Sequence, residues 1–206
     1  MKIENQKQHN INFGWCKSMH GDMTHYALKR VVPKKVLEKF CRYVQLPDED
    51  EVFLYGQKHF LGGFLDFFGK SNARYTARQH IKELYKDKRD PKSDEHAFIF
   101  LHYLQDITQP NHTEKSSIFK KIRDAIMPHH KFEVMMCDNQ EELYKNSQEV
   151  PLRSNNLKNL FEEVLSISSK NEPPSRKNQE KWFEIAQNGI NLALSATRRF
   201  FEIVNS

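Results

Sequence analysis

Two histidine–carboxylate pairs in this sequence have the spacing and the residue types of metal ligands. His102 precedes Asp106 by four residues, and His129 precedes Glu133 by the same interval. Residues i and i+4 lie on one face of an α-helix, so each pair would direct an imidazole nitrogen and a carboxylate oxygen to one place. Zinc takes both ligand types in a small coordination shell. His102 and Asp106 alone could equally be a hydrogen-bonded pair, but the second pair and the nearby His112 favour a metal site.

The helix predicted to carry His102 and Asp106 is apolar on three sides. Ser93 is a suitable N-cap, the residues from 94 to 107 read DEHAFIFLHYLQDI, and Pro110 follows the end of the pattern. A helix with so little polar surface is expected at the centre of a domain. An aspartate rarely enters such a place without a partner, which strengthens the prediction of a bound ion.

Composition indicates the class of protein that positions these residues. The chain has 206 residues, 7 glycines and a formal net charge of +5, with 10 histidines. This length fits one domain, and the residue usage favours an all-α fold over a sandwich or barrel. The net charge is too small to indicate a nucleic-acid-binding protein, and the apolar runs are too short to cross a bilayer. We predict a polar N-terminal arm over 1–14 and one domain over 15–206.

The predicted elements are helices joined by polar or proline-containing segments. Thr24 is the predicted N-cap of the first helix, which Pro33 interrupts. A connection over 45–69 is long enough to suggest a functional loop. Ser71 is the predicted cap of a helix that ends near Tyr85. Further helices are predicted over 116–126, 129–137, 140–146, 154–168 and 178–204.

The segment from His102 to His112 resembles a known signature. It reads HYLQDITQPNH and matches every fixed position of the pattern H-Y-x-x-D-x-x-x-P-x-H. That pattern is typical of the bacterial zinc-dependent phospholipases C, which include the catalytic domain of clostridial α-toxin. The resemblance implies an all-α fold that holds three zinc ions in a cleft. The single-strand-specific zinc nucleases of fungi and plants share this fold and most of the ligands.

The resemblance also implies a full set of metal ligands, which occur here in the family's order between residues 15 and 133. One implied zinc is held by Asp48, His59, His102 and Asp106. A second shares Asp106 and adds His25 and the backbone of Trp15. The third is held by His112, His129 and Glu133. Asp48 is in addition the implied general base.

The implied activity is phosphodiester hydrolysis by a hydroxide that the metals hold. We expect a phospholipase C that cleaves glycerophospholipids to diacylglycerol and a phosphorylated headgroup. A phospholipid or another phosphodiester is the expected substrate, with contact to a membrane surface and no transmembrane segment. We expect a monomer that is secreted or extracytoplasmic, as the family is, although the polar N-terminal sequence shows no signal peptide.

The N-terminal part departs from the family pattern. In the family this tryptophan is the mature N-terminus and its free amine binds zinc, whereas fourteen residues precede Trp15 here. We therefore predict cleavage after Gly14. His20 is an alternative ligand to His25, because a histidine five residues after the tryptophan is the spacing of the nucleases.

Two other functions fit the same residues. A zinc nuclease or nucleotidase would use the same metals, and a zinc-stabilised helical module would bind metal without catalysis. The ten-residue spacing from Trp15 to His25 and the sequence HHKFE around Glu133 favour the lipase. Cys16, Cys41 and Cys137 are predicted to be thiols, which argues against the nucleases because these usually carry disulfides. His80 and His96 have no carboxylate at ligand spacing and are predicted to be structural or solvated.

Overall fold

The computed structural model describes residues 17–49, 73–86, 93–109 and 131–206, and all regular secondary structure in these ranges is helical. The predicted all-α fold class is therefore confirmed. The helices are α1 (Lys17–Leu28), α2 (Lys34–Glu49), α3 (Ala73–Lys86), α4 (Ser93–Asp106), α5 (Gln140–Lys145), α6 (Leu157–Ser168) and α7 (Trp182–Asn205). A further helical segment covers 131–138, and a 3₁₀ helix, Arg176–Lys181, leads into α7.

The break at Pro33 is confirmed, but the predicted start of the first helix is wrong. The carbonyl of Pro33 accepts hydrogen bonds from the backbone of Val36 and Leu37, both at 3.0 Å, so Pro33 stands directly before α2. Thr24 is not an N-cap, because it lies within α1, is fully buried and donates its hydroxyl to the carbonyl of His20. The prediction placed the helix start at a good capping residue and missed about two turns of helix before it.

The other boundaries differ from the prediction by a few residues. α2 continues through Pro47 to Glu49, so the connection predicted from residue 45 begins later. The last helix is preceded by a separate 3₁₀ turn, which Ser175 and Asn178 fix through a reciprocal capping box. The predicted helix over 116–126 lies outside the described residues.

The predicted central position of α4 is confirmed. Phe100, Leu101 and Leu104 are completely buried in a core that α4 shares with α2, α3, α6 and α7. A second core surrounds α1, where Met19 and Met23 pack with residues of 131–138 and with α7. α7 contributes to both cores and lies between them. Among the described residues, no helix has the length and apolar character that crossing a bilayer requires.

The cysteines only partly match the prediction. Cys41 is a free thiol, and burial together with the Asp22 charge raises its pKa to about 11. Cys137, by contrast, is disulfide-bonded, so the prediction of three thiols is wrong. An odd number of cysteines excludes complete pairing but leaves room for one disulfide and one thiol.

Candidate metal centre

His20 of α1 meets His102 and Asp106 of α4 where the two helices lie side by side. His20 Nε2 is 3.3 Å from Asp106 Oδ1, and His102 Nε2 is 3.3 Å from Asp106 Oδ2. All three side chains are 0% exposed. Their candidate ligand atoms lie within 4.8 Å of one another, and they form the one such group of three among the described residues. We refer to His20, His102 and Asp106 as the triad.

The His102 ring is oriented by α2. Its Nδ1 is 2.9 Å from the carbonyl oxygen of Val44 and donates a hydrogen bond to it. The carbonyl can only accept, so the proton of the neutral ring is on Nδ1 and the lone pair is on Nε2. The atom that faces Asp106 is therefore the one able to bind a metal.

The His20 ring is oriented by a buried network around Gln105. The amide nitrogen of Gln105 donates to the hydroxyls of Thr24 at 3.1 Å and Thr197 at 3.0 Å. The hydroxyl of Thr24 donates its hydrogen to the carbonyl of His20, and the hydroxyl of Thr197 donates to the carbonyl of Ala193. Each hydroxyl must therefore accept from Gln105.

This network determines the tautomer of His20. Because both N–H groups of Gln105 are used, its Oε1 faces His20 Nδ1 at 2.8 Å and accepts a hydrogen bond from it. The lone pair of His20 is then on Nε2, which faces Asp106. Metal-binding histidines in proteins characteristically donate their other ring nitrogen to such a fixed acceptor.

The geometry of the triad is one that could hold a divalent metal ion. Two imidazole lone pairs face the two oxygens of one carboxylate, an arrangement that becomes favourable when a positive charge lies between them. The distance of 3.3 Å exceeds that of a charge-assisted hydrogen bond, about 2.7–2.9 Å. Ligand atoms of a tetrahedral zinc, at about 2.0–2.1 Å from the ion, are separated by about 3.3 Å. Each oxygen of Asp106 faces a different histidine.

The structure brings together two of the predicted ligands and adds a third. His102 and Asp106 meet as their spacing predicted, and His20 joins them, the alternative to His25. His25 is exposed and is not brought to the triad. Five residues turn an α-helix by about 140° beyond a full turn, so His20 and His25 cannot share a face.

The other predicted ligands are described in part or not at all. Glu133 lies in the segment 131–138 and is buried, with 6% of its surface exposed. Asp48 belongs to the last turn of α2, one turn beyond Val44, and its side chain is outside the description. Trp15, His59, His112 and His129 lie outside the described residues.

The apolar pattern of α1 predicts that His20 faces the interior, provided that the helix is taken to begin at Lys17. Met19, Met23 and Ala27 recur at i, i+4 and i+8 and are buried, and His20 and Thr24 lie beside them on the same side. A helix that begins at Lys17 places His20 inside and His25 outside. Gln105 had no comparable signal, since its partners are 81 to 92 residues away along the chain.

Comparisons with known proteins give a likeness of structure. No family model and no curated protein matches the sequence. The alpha toxin of Clostridium absonum matches the structure with a TM-score of 0.62 and 18% sequence identity over 95% of this chain. The alpha-toxin of Clostridium perfringens from avian strain SWCP matches with a TM-score of 0.57 and 15% identity over 96% of this chain. The chain spans 66% of the length of each toxin. Such low identity shows the fold alone, and this chain has the fold of the part of the two toxins that it matches.

Proposed function

We propose that this chain is a zinc-dependent phosphodiester hydrolase of the phospholipase C type, acting on glycerophospholipids. The observation that carries the proposal is the buried triad, found in a chain with the fold of the alpha-toxins. Neither part is sufficient alone, because a fold hosts many functions and a buried histidine cluster can be structural. Together they combine a site for a hydrolytic metal with a scaffold of matching architecture.

The described residues would hold the metal and fix its ligands. His20 and His102 supply neutral nitrogens, and Asp106 supplies negative charge. Gln105 and the carbonyl of Val44 keep both rings in the tautomer that binds metal. Zinc, when bound, lowers the pKa of a coordinated water to about 7, which supplies a nucleophile at neutral pH.

The larger ligand set remains part of the proposal. Buried Glu133 would contribute to a further ion, and the bond from His102 to Val44 joins α4 to the last turns of α2, which include Asp48. We propose three zinc ions, with Trp15, His59, His112 and His129 among their ligands and Asp48 as the general base. Trp15 would contribute its amine after cleavage behind Gly14. Mass spectrometry of active protein from its native host would then show Trp15 at the N-terminus, and an intact Met1 would contradict the cleavage.

A nuclease is the second candidate, and one observation of the structure favours it. The histidine in the triad is His20, five residues after Trp15, which is the nuclease-like spacing. The disulfide at Cys137 also removes the argument that this chain, unlike the nucleases, has only thiols.

The same disulfide supports an extracytoplasmic location. Disulfides persist in oxidising compartments and are rare in the cytosol. We propose a secreted or periplasmic monomer that contacts the membrane surface peripherally. Western analysis of cell fractions would test the location, and recovery of the protein in the cytosol alone would contradict it.

Parallel assays of the zinc-loaded protein test the function. Vesicles of phosphatidylcholine or phosphatidylethanolamine and single-stranded DNA are the substrates, and release of diacylglycerol or of acid-soluble nucleotides is the readout. We expect lipid cleavage that disappears in His102→Ala and persists in His96→Gln, a matched variant of the same helix. Cleavage of DNA alone would select the nuclease. No cleavage of either substrate at full zinc content would indicate a non-catalytic module.

A further inference from the structure

Gln109 has a buried side chain whose polar atoms are both unused. It is 1% exposed, and neither its amide nitrogen nor its amide oxygen has a hydrogen-bond partner in the structure. A buried amide that loses its water and gains no partner destabilises the folded chain. Such groups are rare in folded proteins, and each requires an explanation such as a ligand.

The position of Gln109 relates it to the triad. Its backbone N–H donates to the carbonyl of Asp106 at 3.0 Å, and that of Thr108 donates to the carbonyl of Gln105 at 3.0 Å. These i→i+3 bonds make the turn after α4 3₁₀-like, and residues three apart in a 3₁₀ turn are eclipsed. Gln109 therefore follows Asp106 on the same side of the chain.

Gln105 provides an internal comparison on the same element. It is also a buried glutamine, 0% exposed and four residues earlier, yet it makes hydrogen bonds with His20, Thr24 and Thr197. Gln187 of α7 differs from Gln109, because it is only half-buried. Gln187 leaves one oxygen unpartnered while its nitrogen donates to Leu143 and Asn191. Among the described residues, Gln109 is the one buried amide with both ends unused.

We propose that Gln109 is a substrate-binding residue that donates a hydrogen bond from its amide nitrogen to a phosphoryl oxygen. The inference rests on the proposed function, since it assumes that the triad holds metal and that a phosphodiester is bound beside it. A phosphoryl oxygen only accepts hydrogen bonds and carries negative charge, so a neutral N–H donor suits it. Metal charge would neutralise the phosphodiester, and Gln109 would add direction rather than charge.

The experiment compares Gln109→Met with Gln105→Met, because methionine keeps the unbranched shape and removes the amide. Three quantities are measured: urea unfolding of the metal-free protein, zinc content by plasma emission spectroscopy, and inorganic phosphate binding to the zinc-loaded protein by calorimetry. We expect Gln109→Met to unfold at the wild-type urea concentration or higher and to retain its zinc. Its phosphate affinity and its kcat/KM for the hydrolysed phosphodiester should fall roughly 10- to 100-fold, the range for a hydrogen bond to a charged group. Gln105→Met should unfold at lower urea.

The possible outcomes separate this inference from the function on which it rests. Wild-type phosphate affinity in Gln109→Met, with wild-type hydrolysis, would overturn the role of Gln109 and leave the phosphodiesterase intact. A loss of stability like that of Gln105→Met would also overturn it, because it would show that the amide is bonded in the free protein. Gln109→Leu repeats the measurement if the methionine variant does not fold. A wild-type protein that holds zinc but neither binds phosphate nor hydrolyses a phosphodiester would overturn both proposals.

Discussion

Helix α4 contributes a histidine to each of two histidine pairs, and the pairs differ in what their nitrogens contact. His102 lies beside His20 with ring centroids 4.0 Å apart, and both rings are 0% exposed. His96 faces His80 of α3 with centroids 5.2 Å apart in a partly buried position. In the first pair both Nδ1 atoms bond to protein acceptors and both Nε2 atoms face Asp106. In the second pair the two Nδ1 atoms face each other at 3.0 Å.

The difference shows why proximity of histidines does not by itself make a metal site. When two imidazoles bond to each other, one nitrogen donates and the other accepts, so these two nitrogens are not directed at a cation. When one nitrogen of each ring instead donates to a fixed acceptor, the other ring nitrogen carries a lone pair that points in a fixed direction. A carboxylate at that point supplies the charge that holds a cation. The His20–His102 pair has both features, whereas the Nδ1 atoms of His80 and His96 face each other.

The strongest test of this difference removes a triad ligand. His102→Ala should lose at least one zinc ion and reduce hydrolysis by more than about 100-fold, since the loss of an outer partner alone costs 10- to 100-fold. Plasma emission spectroscopy counts the zinc, and the lipid and DNA assays measure the activity. His129→Ala should act in the same way at the third proposed ion. Full zinc content in either variant would refute the ligand assignment for that residue.

The sequence carried enough information to find the two members of the triad that lie within one helix. His102 and Asp106 share a helix with a strong apolar pattern, so their i, i+4 spacing alone predicted a joint site. His20 comes from another helix, and its inward orientation depends on where α1 begins. Thr24 was wrongly predicted to be an N-cap because the sequence does not distinguish a capping threonine from a threonine inside a helix. In the structure its hydroxyl donates to the carbonyl of His20, four residues earlier.

Other features of the site depend on contacts that no local pattern encodes. The tautomer of His20 is set by Gln105, Thr24 and Thr197, which come from α4, α1 and α7. Such a network exists only after the helices have packed. The disulfide of Cys137 was missed for a related reason, because cysteine spacing does not reveal which thiols meet in space.

A smaller loss of zinc binding is expected when Gln105, which fixes the tautomer of His20, is replaced and the three triad residues are kept. Gln105→Met leaves the His20 Nδ1–H and two threonine hydroxyls without their buried partner. We expect zinc affinity to fall roughly 10- to 100-fold and the free energy of unfolding to fall by about 1–3 kcal/mol. Competition with a chelator measures the first and urea unfolding the second. Unchanged zinc affinity would mean that the orientation of His20 does not depend on Gln105.

The smallest effect is expected at the second histidine pair, and it decides whether the two pairs differ in kind. His96→Gln removes one part-buried contact with His80 and leaves the triad untouched. The free energy of unfolding should fall by about 0.5–1.5 kcal/mol, the usual net value of one hydrogen bond. Zinc content and hydrolysis should stay at the wild-type level, because this variant removes no residue of the triad. A loss of one zinc ion in this variant would show that His80 and His96 also bind metal. The direction of the Nε2 atoms would then not distinguish a metal site from a contact between two histidines. α4 would in that case bind ions near both of its ends.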